Sequence, residues 1–256
     1  MSAVRRRWLP IAAVCLTLPF ASGGLAGCSR GSDTATKDSG SQAQASESAS
    51  EKPKTPTTGT AGKLPTVADY IKQNEISETP VKDDPDAPNV AMPAVMGWQD
   101  AGDATPEEAY TAIVNTDPAF EADPPSIVVV FSKLGSNADP AEILNLAPNE
   151  LKNLAQFDDN KTSPETFQLS GYDAVRYAGS YLRDGETRLI AQETVTIPGE
   201  NGLYVMQING DAATSQVQAL TLAFNGINEQ GTITFGPLPS APGTSGPESP
   251  GTQPGG

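Results

Sequence analysis

The chain has 256 residues, with 31 acidic side chains, 16 basic side chains and no histidine, for a formal charge of −15. The lack of histidine excludes Ser-His-Asp and Cys-His catalysis and most zinc sites. Two cysteines are too few for a disulfide-rich scaffold or an iron–sulfur cluster. The acidic balance argues against nucleic acid as a partner, because affinity for phosphates comes mostly from cationic contacts.

Residues 1–27 have the order of a bacterial signal peptide. Arginines occupy positions 5–7, an apolar stretch follows over 8–20, and small residues come next. The stretch is too short, and too interrupted by proline, to span a bilayer as a helix. The paired arginines leave the general secretory route and the twin-arginine route both open.

The end of this segment resembles a bacterial lipobox, formed by Leu25, Ala26, Gly27 and Cys28. In a lipobox the cysteine takes a diacylglyceryl thioether and becomes the mature N-terminus. We therefore expect Cys28 to carry palmitate-type acyl chains and to anchor the protein at the extracytoplasmic face of the cell membrane. Two or three chains hold a protein stably, since each buried CH₂ contributes roughly 0.8 kcal/mol. The alternative is ordinary secretory cleavage next to an incidental cysteine.

Two low-complexity segments flank one predicted domain. Residues 28–63 are rich in Ser, Thr, Ala and Pro, and residues 237–256 are rich in Pro, Gly and Ser. Neither has the apolar surface that would offset the entropy lost on ordering, so both are predicted to be disordered. The first is predicted to be a tether, either unmodified or O-glycosylated.

The remaining residues, 64–236, have the size of one domain. They contain 26 acidic and 8 basic residues, and 13 of those acids but only two of the bases lie in 64–125. Such a surface repels anionic lipid head groups, so the domain is expected to stand away from the bilayer.

In chain order, the domain begins with a predicted helix. Thr66 is its expected N-cap, Asp69 lies at the capping-box position, and the helix is expected to end near Glu75. One apolar stripe runs along it, formed by Val67, Tyr70 and Ile71.

Four strand predictions follow. Residues 76–82 and 109–115 have strand-like patterns, and Pro93 restricts 90–99 to an edge strand or an extended loop. Residues 126–133 form a continuous apolar run, which predicts a strand buried on both faces at the centre of the sheet.

Two helices are then predicted. Asp139 caps the first, with Pro140 at its first position and Glu142 at its third. Pro148 separates this helix from a second short one, which contains Leu151, Leu154 and Phe157.

Three antiparallel strands are predicted over 172–182, 187–197 and 203–209. The first two are joined by Asp184-Gly185, a typical hairpin turn. A last helix is expected to start at a cap, Asp211 or Thr214, with its apolar side formed by Val217, Leu220, Phe224 and Ile227. The predicted fold class is α+β: a single domain with a mainly antiparallel sheet covered by helices on one face.

Motifs for chemistry are sparse. The sequence contains no phosphate-binding glycine loop, and the domain has no Ser-x-x-Lys. Two acidic clusters, residues 83–86 and 158–160, lack the Gly and the terminal Glu of an EF-hand, so solvated loop acids and a calcium site are both open interpretations. We predict no metal, no cofactor and no enzymatic activity.

Three aromatic residues are the candidate lining of a ligand groove: Trp98, Tyr177 and Tyr181. The two tyrosines are four residues apart, so they share a face if they lie on one strand. Aromatic walls suit ligands with apolar parts, and packing in the core is the alternative.

Several segments, in this order, resemble the actinobacterial LpqN/LpqT lipoproteins, best known from mycobacteria. They are the lipobox, the Ser/Thr-rich tether, and residues 66–70 (TVADY), 96–102 (MGWQDAG) and 109–114 (AYTAIV). The resemblance spans most of residues 64–236.

The resemblance implies a PsbP-like α/β sandwich, which agrees with the α+β prediction. It implies a role in a mycolate-rich cell envelope, including binding of trehalose glycolipids and association with RND-type lipid exporters. Some members are implicated in contacts with host proteins. The family has no established catalytic motif, so no catalytic residue is carried over.

The sequence therefore favours a non-catalytic envelope lipoprotein that binds lipid or glycolipid and assists lipid export. The alternative is an acidic interaction module of the cell surface, which recognises a basic exporter subunit or host protein. A hydrolase with paired carboxylates is a third hypothesis.

Overall fold

The structure is a computed structural model, and it describes residues 62–82, 84 and 86–236. The predicted signal peptide, Cys28 and its lipobox, nearly all of the tether, and the C-terminal tail lie outside the described residues.

The described elements follow one another along the chain in this order: α1 Val67–Gln73, β1 Glu78–Pro80, β2 Asn89–Ala91, β3 Trp98–Asp100, β4 Thr111–Asn115, β5 Ser126–Leu134, α2 Pro140–Leu146, α3 Pro148–Lys152, β6 Glu165–Leu169, β7 Tyr172–Arg183, β8 Glu186–Gly199, β9 Gly202–Ala213, α4 Val217–Gln230 and β10 Thr232–Thr234.

Eight of the strands form one antiparallel sheet, in which seven follow the order β3-β4-β5-β9-β8-β7-β6 and the eighth is β1. Strand β1 also pairs with β5, beyond the end of β4. Strands β2 and β10 form a separate two-stranded sheet. The long hairpins β7–β8 and β8–β9 set the length of the main sheet. The β7–β8 hairpin has its turn at Asp184-Gly185, as predicted from the sequence, and both residues have positive φ.

Strand β5 is the buried central strand that its apolar run predicted. It pairs with β9 along its whole length, and β4 and β1 share its other edge. Ile127, Val129 and Phe131 are at most 2% exposed. The α+β fold class, an antiparallel sheet packed against helices, is confirmed.

The prediction that helices cover one face of the sheet was wrong, because they cover both. On β9, Gly210 meets Phe224 and Leu220 of α4, whereas Gln207, three residues earlier, bonds Glu150 of α3 on the opposite face. Buried side chains occupy both sets of alternating positions along β8 and β9. A strand with this pattern must be covered on both sides. We call the two faces of the main sheet the α4 face and the α3 face, after the helices that cover them.

Two predicted helix starts are confirmed. Thr66 and Asp69 form a complete capping box at α1, and the side chain of Asp139 accepts a hydrogen bond from the Ala141 N–H at the start of α2. These local signals act within three residues, so the surrounding fold does not override them.

The predicted cap of the last helix was wrong. Asp211 lies inside β9, which continues to Ala213, and a 3₁₀ turn over Thr214–Gln216 leads into α4. No side chain caps α4. Asp211 instead forms a buried ion pair with Arg188, because β9 continues past it to Ala213 and places its side chain against Arg188 of β8.

The short strands were predicted least well. The segment 90–99 contains parts of two strands, β2 and β3, and β6 was not predicted at all. Strand β6 exposes most of its residues, so it lacks an alternating apolar pattern, and only its pairing with β7 marks it as a strand.

Candidate functional site

A groove of about 380 Å³ lies between helix α4 and the sheet. Its floor is formed by residues 176–179 of β7 and 189–193 of β8, and the segment between residues 159 and 165 lines the side away from α4. The volume falls within the range of small-molecule sites, about 300–1,000 Å³. The groove therefore has room for part of a lipid or for a comparable small molecule.

The walls of the groove are largely apolar. Helix α4 contributes Leu220 and Phe224, and the floor contributes the small side chains of Ala178 and Ala191. Val217 also lines the groove and remains 52% exposed. A half-exposed apolar side chain at a groove is suited to contact an apolar ligand.

Helix α4 lies close to the sheet because β9 has a glycine beneath it. A Cβ at Gly210 would lie 2.5 Å from the Phe224 ring and 2.7 Å from a Leu220 methyl carbon. Only glycine permits this separation of helix and strand without a shift of either.

Polar groups line the rim. Arg176 forms an ion pair with Glu165, with 2.9 Å between Nη2 and Oε2, and its guanidinium lies 5.3 Å from the centre of the Phe167 ring. Thr162 and Asp159 also line the groove. The site thus combines an apolar wall with a polar edge, which suits an amphiphilic ligand.

A buried carboxyl group lies at the floor. Glu193 is 3% exposed, and its Oε1 accepts a hydrogen bond from Nδ2 of Asn228 on α4 at 2.8 Å. Oε2 of Glu193 and Oδ1 of Asn228 have no hydrogen-bond partner among the described residues. Burial raises the pKa of Glu193 to about 7, against smaller lowering effects from Asn228 and Arg176.

The structure does not bring the three predicted groove aromatics together. Trp98 begins β3 at one edge of the sheet, whereas Tyr177 and Tyr181 lie on β7, near the other edge. Trp98 packs against the core cluster on the α4 face.

The two tyrosines share a face as predicted from their spacing, but their rings pack on the α3 face with Leu151 and Ile190. Tyr177 is 5% exposed, and its hydroxyl donates to Asp159 at 2.7 Å. Burial, together with this bond, raises the pKa of Tyr177 to about 12. Of the three, Tyr177 alone belongs to the groove lining, in the part of the chain that the structure describes.

The hydroxyl of Tyr181 donates to Asp211 at 2.6 Å. Asp211 also accepts from Arg188 and pairs with Arg183. Arg188 reaches Asp123 as well, at 2.6 Å. Both oxygens of the Asp211 carboxylate therefore accept hydrogen bonds. The network lies on the α3 face, near the end of β9.

Glu193, Asn228 and Glu150 were not among the site residues predicted from the sequence. One signal was present: Glu193 interrupts the apolar run of β8, where an acid is rare unless it has a partner. No comparable signal marks Asn228, because it lies 35 residues from Glu193.

Three acids of the two acidic clusters make contacts within the described part of the chain. Among the described residues, no group of three or more acidic or sulfur ligands could hold a metal ion. Asp84 lies 3.7 Å from the Lys133 ammonium. Asp159 accepts hydrogen bonds from the Tyr177 hydroxyl and from the Lys161 N–H, and both bonds lower the pKa of Asp159. Asp158 accepts the Asn160 N–H at 2.8 Å.

The helices do not reach the length or apolarity of a membrane span anywhere in the described ranges.

Known proteins resemble this chain over the same region. A family model described as "Probable lipoprotein LpqN" matches residues 63–234. Lipoprotein LpqN of Mycobacterium tuberculosis (strain ATCC 25618 / H37Rv) is 42% identical over 178 residues, which cover 68% of this chain and 76% of that protein.

One solved structure agrees with the sequence matches. The crystal structure of an LpqN described as involved in cell envelope biogenesis of Mycobacterium tuberculosis aligns with a TM-score of 0.62 and 40% identity, over 68% of this chain and 99% of that one. The Ran-binding protein Mog1p of Saccharomyces cerevisiae aligns with a TM-score of 0.35 and 16% identity, over 60% of this chain and 90% of that chain. The family model and the Mycobacterium relative together show that this chain belongs to the LpqN lipoprotein family.

Proposed function

We propose that this protein is a lipid-anchored lipoprotein of the cell envelope whose domain binds a lipid or glycolipid and assists the export of envelope lipids. The groove between α4 and the sheet is the observation that carries the proposal. Membership of the LpqN family supports the envelope setting, since an LpqN is described as involved in cell envelope biogenesis.

The groove suits an amphiphile. Burial of an acyl chain against Leu220, Phe224 and Val217 would remove apolar surface from water, at about 0.8 kcal/mol per CH₂. The polar rim, including Thr162 and the Arg176–Glu165 pair, would meet a hydrated head group.

Anchorage at Cys28 completes this proposal. Acyl chains on Cys28 would hold the protein at the extracytoplasmic face of the membrane, and the tether to residue 63 would let the domain reach lipid at an exporter. An RND-type exporter is the proposed protein partner. The negative charge of residues 64–236 would keep the domain itself off anionic lipid head groups.

Binding without catalysis is supported by the positions of the two buried acids. Glu150 bonds Gln192, and Glu193 is the next residue on β8, so the two carboxyl groups lie on opposite faces of the sheet. A glycosidase needs both carboxyl groups on the two sides of one scissile bond. These two groups therefore do not serve as a catalytic pair.

Native mass spectrometry of residues 29–256, incubated with envelope lipid extract, tests the proposal. We expect a discrete adduct whose mass identifies the lipid class. In the variant Ala178→Trp a large side chain would occupy the floor of the groove, and we expect binding to fall by about tenfold or more, which corresponds to ~1.4 kcal/mol.

Ala141→Trp is the matched control, because Ala141 is exposed on α2, outside the groove. This variant should bind like the unchanged chain. A bare protein mass for the unchanged chain, or equal adducts in both variants, would overturn lipid binding in this groove.

A second candidate function is recognition of a basic protein partner. The observation that favours it is the local charge of residues 64–125, in which thirteen acids accompany two bases; Asp103, Glu107 and Glu121 are among the exposed acids. Such binding would weaken strongly as the salt concentration rises. Capture of a partner that is indifferent to salt would count against this candidate.

A further inference from the structure

One hydrogen bond joins the wall of the groove to its floor. Asn228 lies on α4 and Glu193 lies on β8, and Nδ2 of the first donates to Oε1 of the second at 2.8 Å. The second oxygen of Glu193 and the amide oxygen of Asn228 are both buried, and each lacks a partner among the described residues.

This pair is short of one hydrogen-bond donor. Both unpartnered atoms are acceptors when Glu193 is ionised, and an unsatisfied buried polar atom costs about 1–3 kcal/mol. A proton on Oε2 would turn that atom into a donor. The acceptor that it needs, Oδ1 of Asn228, belongs to the side chain that Glu193 already contacts.

We propose that Glu193 and Asn228 form a proton-dependent latch that sets the width of the groove. With Glu193 protonated, Oε2–H donates to Oδ1 of Asn228, so two hydrogen bonds hold α4 against β8. When the proton leaves, two acceptors and a buried charge remain, α4 loosens from the sheet, and the groove widens. Only the regulation of ligand entry rests on the proposed function; the latch itself does not.

The charged groups around Glu193 do not hold its carboxyl permanently in the ionised form. Arg176 is its cross-strand neighbour on β7, and this cation is paired with Glu165 of β6. On β9 the neighbour is the apolar Ile208, and on α4 the acid Glu229 is exposed. Burial raises the pKa of Glu193 to about 7, so the latch would respond near neutral pH.

Two measurements on residues 29–256 test the latch without any ligand. In a carbon-13 NMR titration, we expect the Glu193 carboxyl to change protonation near pH 7. In hydrogen exchange, corrected for the intrinsic rate, we expect the α4 amides to lose about tenfold or more of their protection between about pH 5.5 and 8.5.

Glu193→Gln places an amide donor where the proton would be, so α4 should stay protected at both pH values. Glu150→Gln is the matched control, because Glu150 is an equally buried acid on the opposite face. It should leave the pH response of α4 intact. If Glu193→Gln does not fold, Asn228→Ala serves instead, and its α4 should be loose at both pH values.

The latch is overturned if Glu193 titrates at an ordinary glutamate pKa, if α4 protection does not change with pH, or if the change persists in Glu193→Gln. Binding of the neutral dye Nile red then tests the consequence. We expect the unchanged chain to bind the dye more tightly at about pH 8.5 than at pH 5.5, and Glu193→Gln to bind it equally at both.

The two proposals fail separately. A pH response of α4 together with no lipid adduct would overturn the proposed function and leave the latch. A lipid adduct together with α4 protection that is independent of pH would overturn the latch and leave lipid binding.

Discussion

The two faces of the sheet bury the same chemical group in different ways. On the α3 face, Oε2 of Glu150 accepts hydrogen bonds from Gln192 and Gln207, at 3.1 and 3.0 Å, and both donors belong to the sheet. On the α4 face, Glu193 accepts one bond from Asn228, which belongs to a helix beside a groove. Both contacts join a helix to the sheet, and each carboxyl has one buried oxygen without a partner among the described residues. The difference is that Glu150 accepts from two donors, whereas Glu193 accepts from one.

The two faces also differ in the volume of the cavities they contain. A void of about 10 Å³ lies beneath α1 on the α3 face, whereas the groove beneath α4 measures about 380 Å³. Several short elements and the Asp211 network close the α3 face. The groove of the proposed function therefore lies on the face with the larger of these two cavities.

The largest expected effect comes from breaking the closed face. Asp211→Ala would leave Arg188, whose side chain is 5% exposed, without its buried carboxylate. Loss of one partner of a buried ion pair costs roughly 3–5 kcal/mol. Urea denaturation should show this loss in the free energy of unfolding, and a loss below about 1 kcal/mol would contradict the assigned role of the network.

A pH series should separate the two buried acids. Burial raises the pKa of Glu150 and of Glu193 from 4.5 to about 7. The folded protein then keeps protons that the unfolded chain releases, so stability is greatest at the acid end and is lost as pH rises from 4.5 to about 7.

Each carboxyl should contribute on the order of 1–3 kcal/mol to this decline, and urea denaturation at several pH values measures it. Glu150→Gln and Glu193→Gln should each make the free energy of unfolding depend less on pH. Glu193→Gln alone should also remove the pH dependence of Nile red binding. Identical effects of both variants on Nile red binding would contradict the contrast between the faces.

Packing of helix α4 on strand β9 should depend on the glycine at position 210. Gly210→Ala introduces a Cβ within 2.5 Å of the Phe224 ring and 2.7 Å of Leu220, and overpacking of this kind costs about 1–3 kcal/mol. Thermal unfolding measures the loss.

Gly226→Ala is the matched control, because its Cβ would meet the Val95 side chain at an ordinary 3.5 Å. This helix substitution should be neutral or stabilising, by up to about 1 kcal/mol. If the two variants lose equal stability, close approach of α4 to β9 is not the reason for glycine at position 210.

The smallest expected effect is at the rim of the groove. The Arg176–Glu165 pair has side chains that are 43% and 61% exposed, and exposed pairs contribute about 0–1 kcal/mol. Glu165→Gln should therefore change the free energy of unfolding by less than about 1 kcal/mol. A loss comparable to that of Asp211→Ala would remove the energetic distinction between the two faces.

Local sequence signals predicted the parts of the fold that depend on neighbouring residues. The capping box at Thr66, the proline-led start of α2 after Asp139, and the Asp184-Gly185 turn all form as expected. The apolar run of β5 also predicted its central position, because an unbroken run requires cover on both faces.

The candidate site was harder to predict. The spacing of Tyr177 and Tyr181 correctly placed them on one face, but that spacing carries no information about which face has a groove. Trp98 lies five strands away in the order of the sheet, because the chain places β3 at an edge through pairing with β4. Side chains on different strands meet only through register, which short motifs do not encode.

The amino-acid sequence by itself determined the lipoprotein family, the fold class, the positions of the principal strands and the starts of α1 and α2, since these depend on composition and on contacts within a few residues. Only the tertiary structure decided that helices cover both faces, that Asp211 joins an ion-pair network, and that Glu193 meets Asn228 beside a groove. Those contacts join residues 23 to 57 positions apart, and they form only when strand pairing and helix packing bring distant side chains within hydrogen-bond reach.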